Sequence, residues 1–335
     1  MESSKLKRLD KARFMADPRA RMLMGYVSAL ADLANPKAAL PLLADERRLA
    51  AYEAAIAAAL IEQPGAHILV LGAGSGLLAL MAARAGAGRV TAVERSRMLY
   101  RMARQALDAN LDAPGAANVR IVDCPLRCIG VQGEELPPDV QQALDEEMKH
   151  HSSRDAAGAD SASAPGPPAA AGAAAAAAAK IKDAAVLLPE RADVLVTDLL
   201  DHSVLGMGLL IALDYASIHL LKRGARVTPT FLRVRAMLVE MRISDVSGFD
   251  LSGLNRYRWN GHEKIDLSRV PHKQLSSAFT AIDLDVQRRV DSLSGGCLGD
   301  DALPDILWES DRTLKVPATC SGRWNAVVFW FKASG

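Results

Sequence analysis

Three glycines at alternate positions, Gly72, Gly74 and Gly76, close an apolar run that begins at Ile68, and a carboxylate, Glu94, closes a second apolar run that begins at Arg89. Between them, Leu77 to Arg84 reads as a helix. Glycine lets a backbone turn tightly and come close to a ligand, and an acid ending the next strand can accept hydrogen bonds from two ribose hydroxyls. The chemistry is recognition of a nucleoside. The dinucleotide fingerprint sets its third glycine one place later, where Leu77 stands, so no room is made for a pyrophosphate. That favours S-adenosylmethionine, which carries adenosine and ribose but no phosphate, over a nicotinamide dinucleotide. An ordinary glycine-rich turn from strand to helix has the same short pattern.

Asp198 ends the apolar run Ala192 to Asp198, and the carboxyl edge of an open α/β sheet is where ligands bind. A strand-end or capping carboxylate would look alike in sequence. Arg48 lies in Leu42 to Ile56, where Leu42, Leu49, Tyr52 and Ile56 recur at helical intervals beside a charged face. A helix just ahead of the glycine loop can deliver one arginine to an anionic group such as a methionine carboxylate; the pair Arg47 and Arg48 also fits a solvated helix face.

The elements that must position these groups follow in order. Ser96 to Leu111 reads as a helix with a serine cap and Asn118 to Val122 as a strand, which continues an alternation of strand and helix. From Gly133 to Leu188 the alternation stops: an acidic stretch leads into a Ser/Ala/Gly/Pro-rich one that cannot build a packed core, and this predicts a surface insertion. Leu209 to Leu221 then reads as a helix that stops at Gly224. Phe231 to Met241, Ala278 to Val286 and Asn325 to Phe331 alternate like strands of an antiparallel sheet or barrel, with Trp308, Trp324, Phe329 and Trp330 expected in its core.

Composition narrows the function. The 335 residues suit about two domains, and a net charge of +1 gives no electrostatic case for nucleic acid or membrane. Cys124, Cys128, Cys297 and Cys320 lack the paired spacings of a zinc site or a disulfide framework. The basic N-terminus is followed by no apolar segment of signal-peptide type, so the expectation is cytoplasm or nucleus.

Taken together, the residues from about Leu42 to Phe331 resemble the protein arginine methyltransferases, and within them the branch that makes only monomethylarginine. Leu42 to Ile56 resembles the family helix, with Asp45, Arg48 and Tyr52 on matching positions. Leu71 to Gly76 resembles motif I, and Val90 to Glu94 the ribose-binding strand end. Asp193 to Leu210 resembles the loop that carries two glutamates, Arg226 to Glu240 the first barrel strand, Gly248 to Leu254 the lead into the dimerisation arm, and Gly322 to Phe331 a late barrel strand. Asp201, three after Asp198, is typical of the monomethylating branch.

The resemblance implies a seven-stranded Rossmann-like class I methyltransferase domain followed by an incomplete antiparallel β-barrel. Its units would be an N-terminal helical extension over 1–40, the methyltransferase domain over 41–224 with the insertion at 133–188, and the barrel over 225–335. It implies S-adenosyl-L-methionine held by Arg48, Gly72, Gly74, Gly76 and Glu94, catalysis by Asp198 and Asp201, protein arginine as substrate, and a homodimer through Gly248 to Lys273. It also implies departures. Val70 stands where the family has an acid, Asp198 replaces the first loop glutamate and Met207 the second. Gly335 falls before the family's Thr-His-Trp-type loop and second repeat. A cofactor-binding or interaction protein that has lost turnover is the alternative.

Overall fold

The computed structural model describes residues 42–134, 186–201, 204–257, 265–294 and 313–335, so the expectations for 1–40 and for nearly all of the insertion lie outside the described residues. Helix α1 (Glu46–Glu62) starts where the Asp45 side chain accepts a hydrogen bond from the Arg48 amide at 3.1 Å, and it buries Tyr52, Ile56, Ala59 and Leu60. Those positions lie four, three and one residues apart, one face of a 3.6-residue period. Leu42, expected on that face, precedes the helix and is exposed.

Strand β1 (His67–Leu71) is buried throughout and leads through the glycine loop into α2 (Leu77–Arg84), then β2 (Arg89–Glu94), α3 (Arg97–Asp108) and β3 (Val119–Asp123). The short strands β4 (Ile129–Val131) and β5 (Val186–Leu188) pair with each other in parallel at the two ends of the insertion. There follow β6 (Ala192–Thr197), α4 (Leu209–His219) and β7 (Leu221–Thr228).

Five strands, in the order β3-β2-β1-β6-β7, form one parallel sheet. The seven expected are not reached among the described residues. Alternation along the strands sends Ile68, Val70, Val90, Ala92, Val194 and Val196 to one face, against α1, α2 and α3. Leu69, Leu71, Val93, Leu195 and Val227 go to the other, against α4. The chain builds outward from β1 to β3, then restarts on the other side of β1 with β6. That reversal puts a topological switch point between β1 and β6, where an open α/β sheet leaves a crevice at its carboxyl edge.

After β7 the chain enters a second sheet. Strand β8 (Phe231–Glu240) is its centre, flanked on one side by β11 (Lys273–Gln274) and β12 (Phe279–Asp285), and on the other by β13 (Ala326–Ser334), all antiparallel. A two-stranded hairpin, β9 (Asp245–Val246) with β10 (Phe249–Asp250), stands apart. Among the described residues this sheet does not close into a barrel. The aromatic core expected for it is corrected: Trp324 is 65% exposed, and Phe329 and Trp330 are more than a third exposed. Among the described residues β13 pairs on one side, with β8, and Phe331 is its residue packed against the core. Trp308 lies outside the described residues. Helix α5 (Val286–Leu293), capped by Asp285, is an element the alternation did not announce; it joins the two sheets, with Arg289 paired to Asp214 of α4 at 2.6 Å.

At the opposite, amino edge of the parallel sheet, His67 is 2% exposed. Its Nε2 lies 3.0 Å from the Thr91 hydroxyl, and its Nδ1 has no partner among the described residues. Burial, reinforced by the Arg89 charge, holds the imidazole below its ordinary pKa, although Glu190 and Asp193 act the other way and Lys222 adds to the depression. A histidine whose folded pKa is depressed binds fewer protons folded than unfolded. Its contribution is complete above the unfolded value of about 6.5 and is lost as pH falls through the folded one. The expected outcome is a urea midpoint that drops between about pH 7.5 and about pH 5.5 in the wild type, and a flatter profile in His67→Gln. Parallel profiles would show that His67 does not titrate on unfolding.

Candidate functional site

The glycine loop is held by backbone. Leu71 pairs with Val93, and the next two amides, Gly72 and Ala73, both donate to the Val93 carbonyl at 3.0 and 2.9 Å, which bends the chain off the sheet. A Cβ on Gly72 would stand 2.7 Å from the Leu199 side chain, and one on Gly76 would stand 3.2 Å from Ala103 of α3. Both glycines also have positive φ, +76° and +83°. Gly74 differs. A Cβ there would meet nothing closer than the Gly72 carbonyl at 4.0 Å, so this part of the loop presents bare backbone to open space.

Glu94 closes the loop from the end of β2. It is 6% exposed; one carboxylate oxygen accepts from the Gly74 amide at 2.9 Å and the other from the Ser96 amide at 2.8 Å. Each oxygen keeps a second lone pair. A carboxylate fixed in this way, under a bare glycine loop, fits a nucleoside whose two ribose hydroxyls donate to it. Val70 is fully buried among Ile68, Val196 and their neighbours, so that position serves the apolar core.

Asp198 is brought beside the loop by strand register. Leu71 of β1 pairs with Thr197 of β6, and the Thr197 hydroxyl donates to the Leu71 carbonyl at 3.3 Å, so Gly72 and Asp198 leave adjacent strands together at the switch point. Helix α1 lies across that exit. Arg48 forms an ion pair with one carboxylate oxygen of Asp198, while the Tyr52 hydroxyl reaches the other at 3.0 Å and the Thr197 carbonyl at 2.8 Å. The Arg48 guanidinium carbon stands 5.7 Å from the centre of the Tyr52 ring, one helical turn away. Burial lowers the Arg48 pKa from its ordinary value, while Tyr52 and Asp45 oppose that shift. Burial pushes the Tyr52 phenol up to about 12, against a smaller opposing effect of Arg48, so it is a protonated donor at neutral pH.

The other candidates sit differently. Asp201 accepts from the Gly206 amide at 3.2 Å, and its own carbonyl accepts from Val204 at 3.0 Å, which folds the loop back on itself. Met207 is half-buried at the end of that loop. Glu240 accepts from the Arg323 amide at 3.2 Å at the carboxyl end of β8, in the second sheet. The structure thus joins Gly72, Gly74, Gly76 and Glu94 in one loop, and Arg48 with Asp198 in one pair beside it. Tyr52, read in the sequence only as a matching helix position, is the member that was missed. Its spacing of four from Arg48 was the available signal.

A parallel sheet whose ligand crevice carries a glycine loop, a buried strand-end acid and a second strand-end carboxylate defines a Rossmann-like nucleoside-cofactor domain, here with an antiparallel sheet behind it. No protein-family model matches the chain. In sequence it is 28% identical over 275 residues to an arginine N(omega)-methyltransferase of Streptomyces achromogenes subsp. streptozoticus, across 80% of this chain and 56% of that protein. It is 27% identical over 175 residues to protein arginine N-methyltransferase 7 of Aedes aegypti, across 52% of this chain and 18% of that protein. Among solved structures it is similar to Arabidopsis thaliana protein arginine methyltransferase 10, with a TM-score of 0.45 and 17% identity over 76% of this chain and 64% of that one. The chain is related to the arginine methyltransferases. It spans 56% and 18% of the lengths of the two curated relatives.

Proposed function

We propose that this chain is an S-adenosylmethionine-dependent protein arginine N-methyltransferase that adds one methyl group to a guanidino nitrogen. The observation that carries this reading is the pairing of Leu71 with Thr197, which sets a nucleoside-type loop and the Asp198 carboxylate side by side at one sheet edge. Both curated relatives are arginine methyltransferases by name. The Gly72 to Gly76 backbone and Glu94 would hold the adenosine end of the cofactor, and Arg48 its methionine carboxylate. When bound, S-adenosylmethionine supplies a methyl group on a sulfonium, an electrophile that needs an aligned nitrogen nucleophile.

Asp198 would supply the alignment. A guanidinium is a poor nucleophile because its charge is spread over three nitrogens; a carboxylate that binds two of them draws positive charge away from the third and aims it. Arg48 has five donors, so it can keep Asp198 in place and still meet an anionic ligand. Met207 leaves the device with one carboxylate where the family has two. Losing one partner of a buried charge pair costs about 2–5 kcal/mol, or at least one order of magnitude in rate. Asp201 is three residues on, as in the monomethylating branch, and this supports a single methylation.

The test is transfer of labelled methyl to an Arg-Gly-rich peptide, with free L-arginine in parallel and the product read by mass spectrometry. Monomethylarginine in the peptide is expected. Label in free arginine alone would move the substrate from proteins to the amino acid. Cofactor binding without any transfer would reject the enzyme in favour of a cofactor-binding or interaction protein, the reading favoured by Met207 and by the engagement of both Asp198 oxygens. We also propose a homodimer through 248–273, working in cytoplasm or nucleus. Phe249 is 71% exposed, and Val246, Leu251 and Leu254 add apolar surface beside it. A monomer in sedimentation at working concentration would exclude the dimer.

A further inference from the structure

We propose that Tyr52 is a positioning residue for methyl transfer: from helix α1 it fixes the Asp198 carboxylate in the orientation that receives the substrate guanidinium. This rests on the proposed methyltransferase reading. Three observations carry it. The single Tyr52 O–H lies between two acceptors, the Thr197 carbonyl at 2.8 Å and the Asp198 carboxylate oxygen at 3.0 Å, and its one proton, shared between them, links the side chain to the backbone at its own root. The Thr197 hydroxyl in turn donates to Leu71 and accepts from the Leu199 amide, both at 3.3 Å, so that root is stapled to β1 and to the following loop. Tyr52 is 7% exposed and packed in the cluster beneath α1 with Ile56 and Val196, which leaves its hydroxyl little freedom to follow a moving carboxylate.

The geometry divides labour within α1. Arg48 neutralises Asp198 from one oxygen, and Tyr52 sets its rotation from the other. With Met207 in the second glutamate's place, one short carboxylate must aim the substrate, and a rotation that a two-carboxylate clamp would resist would misdirect the nitrogen. Because its pKa is about 12, the phenol acts as a donor and moves no proton at neutral pH.

Tyr52→Phe keeps the ring and removes the hydroxyl. Loss of a hydrogen bond to a charged group should lower kcat for the Arg-Gly peptide by about tenfold, with the dissociation constant of S-adenosylmethionine held within about threefold. The ratio of wild-type to variant kcat should stay flat between about pH 7 and about pH 10, because a donor that never ionises there imposes no pH dependence of its own. A thermal melt separates this from loss of fold. Equal weakening of cofactor binding and kcat would make Tyr52 merely structural, and an unchanged kcat would overturn the proposal while the methyltransferase reading survives. A wild-type protein that binds cofactor and transfers nothing would overturn the methyltransferase reading itself and this inference with it.

Discussion

Glu94→Ala should weaken S-adenosylmethionine binding by about a hundredfold or more in a calorimetric titration. A hydrogen bond to a charged group contributes about 1.5–3 kcal/mol, and two ribose hydroxyls would be lost together, at about 1.4 kcal/mol per tenfold. The loop suffers as well. The amides of Gly74 and Ser96 lose their acceptor, and Gly74 is the part of the loop that presents bare backbone. Glutamine is not a neutral control here. Both Glu94 oxygens accept backbone N–H groups, so whichever way the amide is turned, its nitrogen confronts one of them. Glu94→Gln should therefore fall between wild type and alanine instead of matching wild type. Binding within about threefold of wild type in the alanine variant would mean that the glycine loop is not the cofactor site.

How far the sequence reached depends on the range of the interaction. The glycine loop and Glu94 were legible because the whole device lies within one strand-helix-strand unit, whose two apolar runs pair in parallel. The carboxyl-edge position of Asp198 was legible from its own strand, an apolar run that ends in an acid. The link from Arg48 and Tyr52 to Asp198 was not, because it depends on how α1 lies across the end of β6, a docking set by burial of Tyr52, Ile56 and Leu60. Helix α5 was hidden because Val286 ends an alternating run and begins a helical one; Val286, Val290 and Leu293 are its buried stripe. Trp324, Phe329 and Trp330 failed for a different reason. Alternation puts Phe329 on the face of Phe331 and Trp330 on the opposite one, but it does not say how far a second layer extends over either face: the core reaches Phe331 and leaves Phe329 and Trp330 more than a third exposed, while Trp324 falls before the strand begins.

Asp198→Asn should abolish most methyl transfer, by about a hundredfold or more in kcat, and leave cofactor affinity unchanged or slightly higher. The two effects separate because the carboxylate has two dependents. For the substrate, asparagine offers one acceptor and no charge, so it can neither bind a guanidinium in bidentate geometry nor polarise it. For Arg48, losing Asp198 frees a cation for the methionine carboxylate. Stability should fall too. The Arg48 and Asp198 side chains are only 20% and 17% exposed, and breaking a largely buried pair by removing one charge costs on the order of 2–4 kcal/mol, so the melting temperature should drop measurably. The opposite split, weaker cofactor binding with transfer intact, would assign Asp198 to holding Arg48 for the cofactor. Asp201, the other candidate carboxylate, would then have to aim the substrate. To reach it, Asp201 would have to give up the Gly206 amide that now holds it, and Asp201→Asn would become the variant that stops transfer.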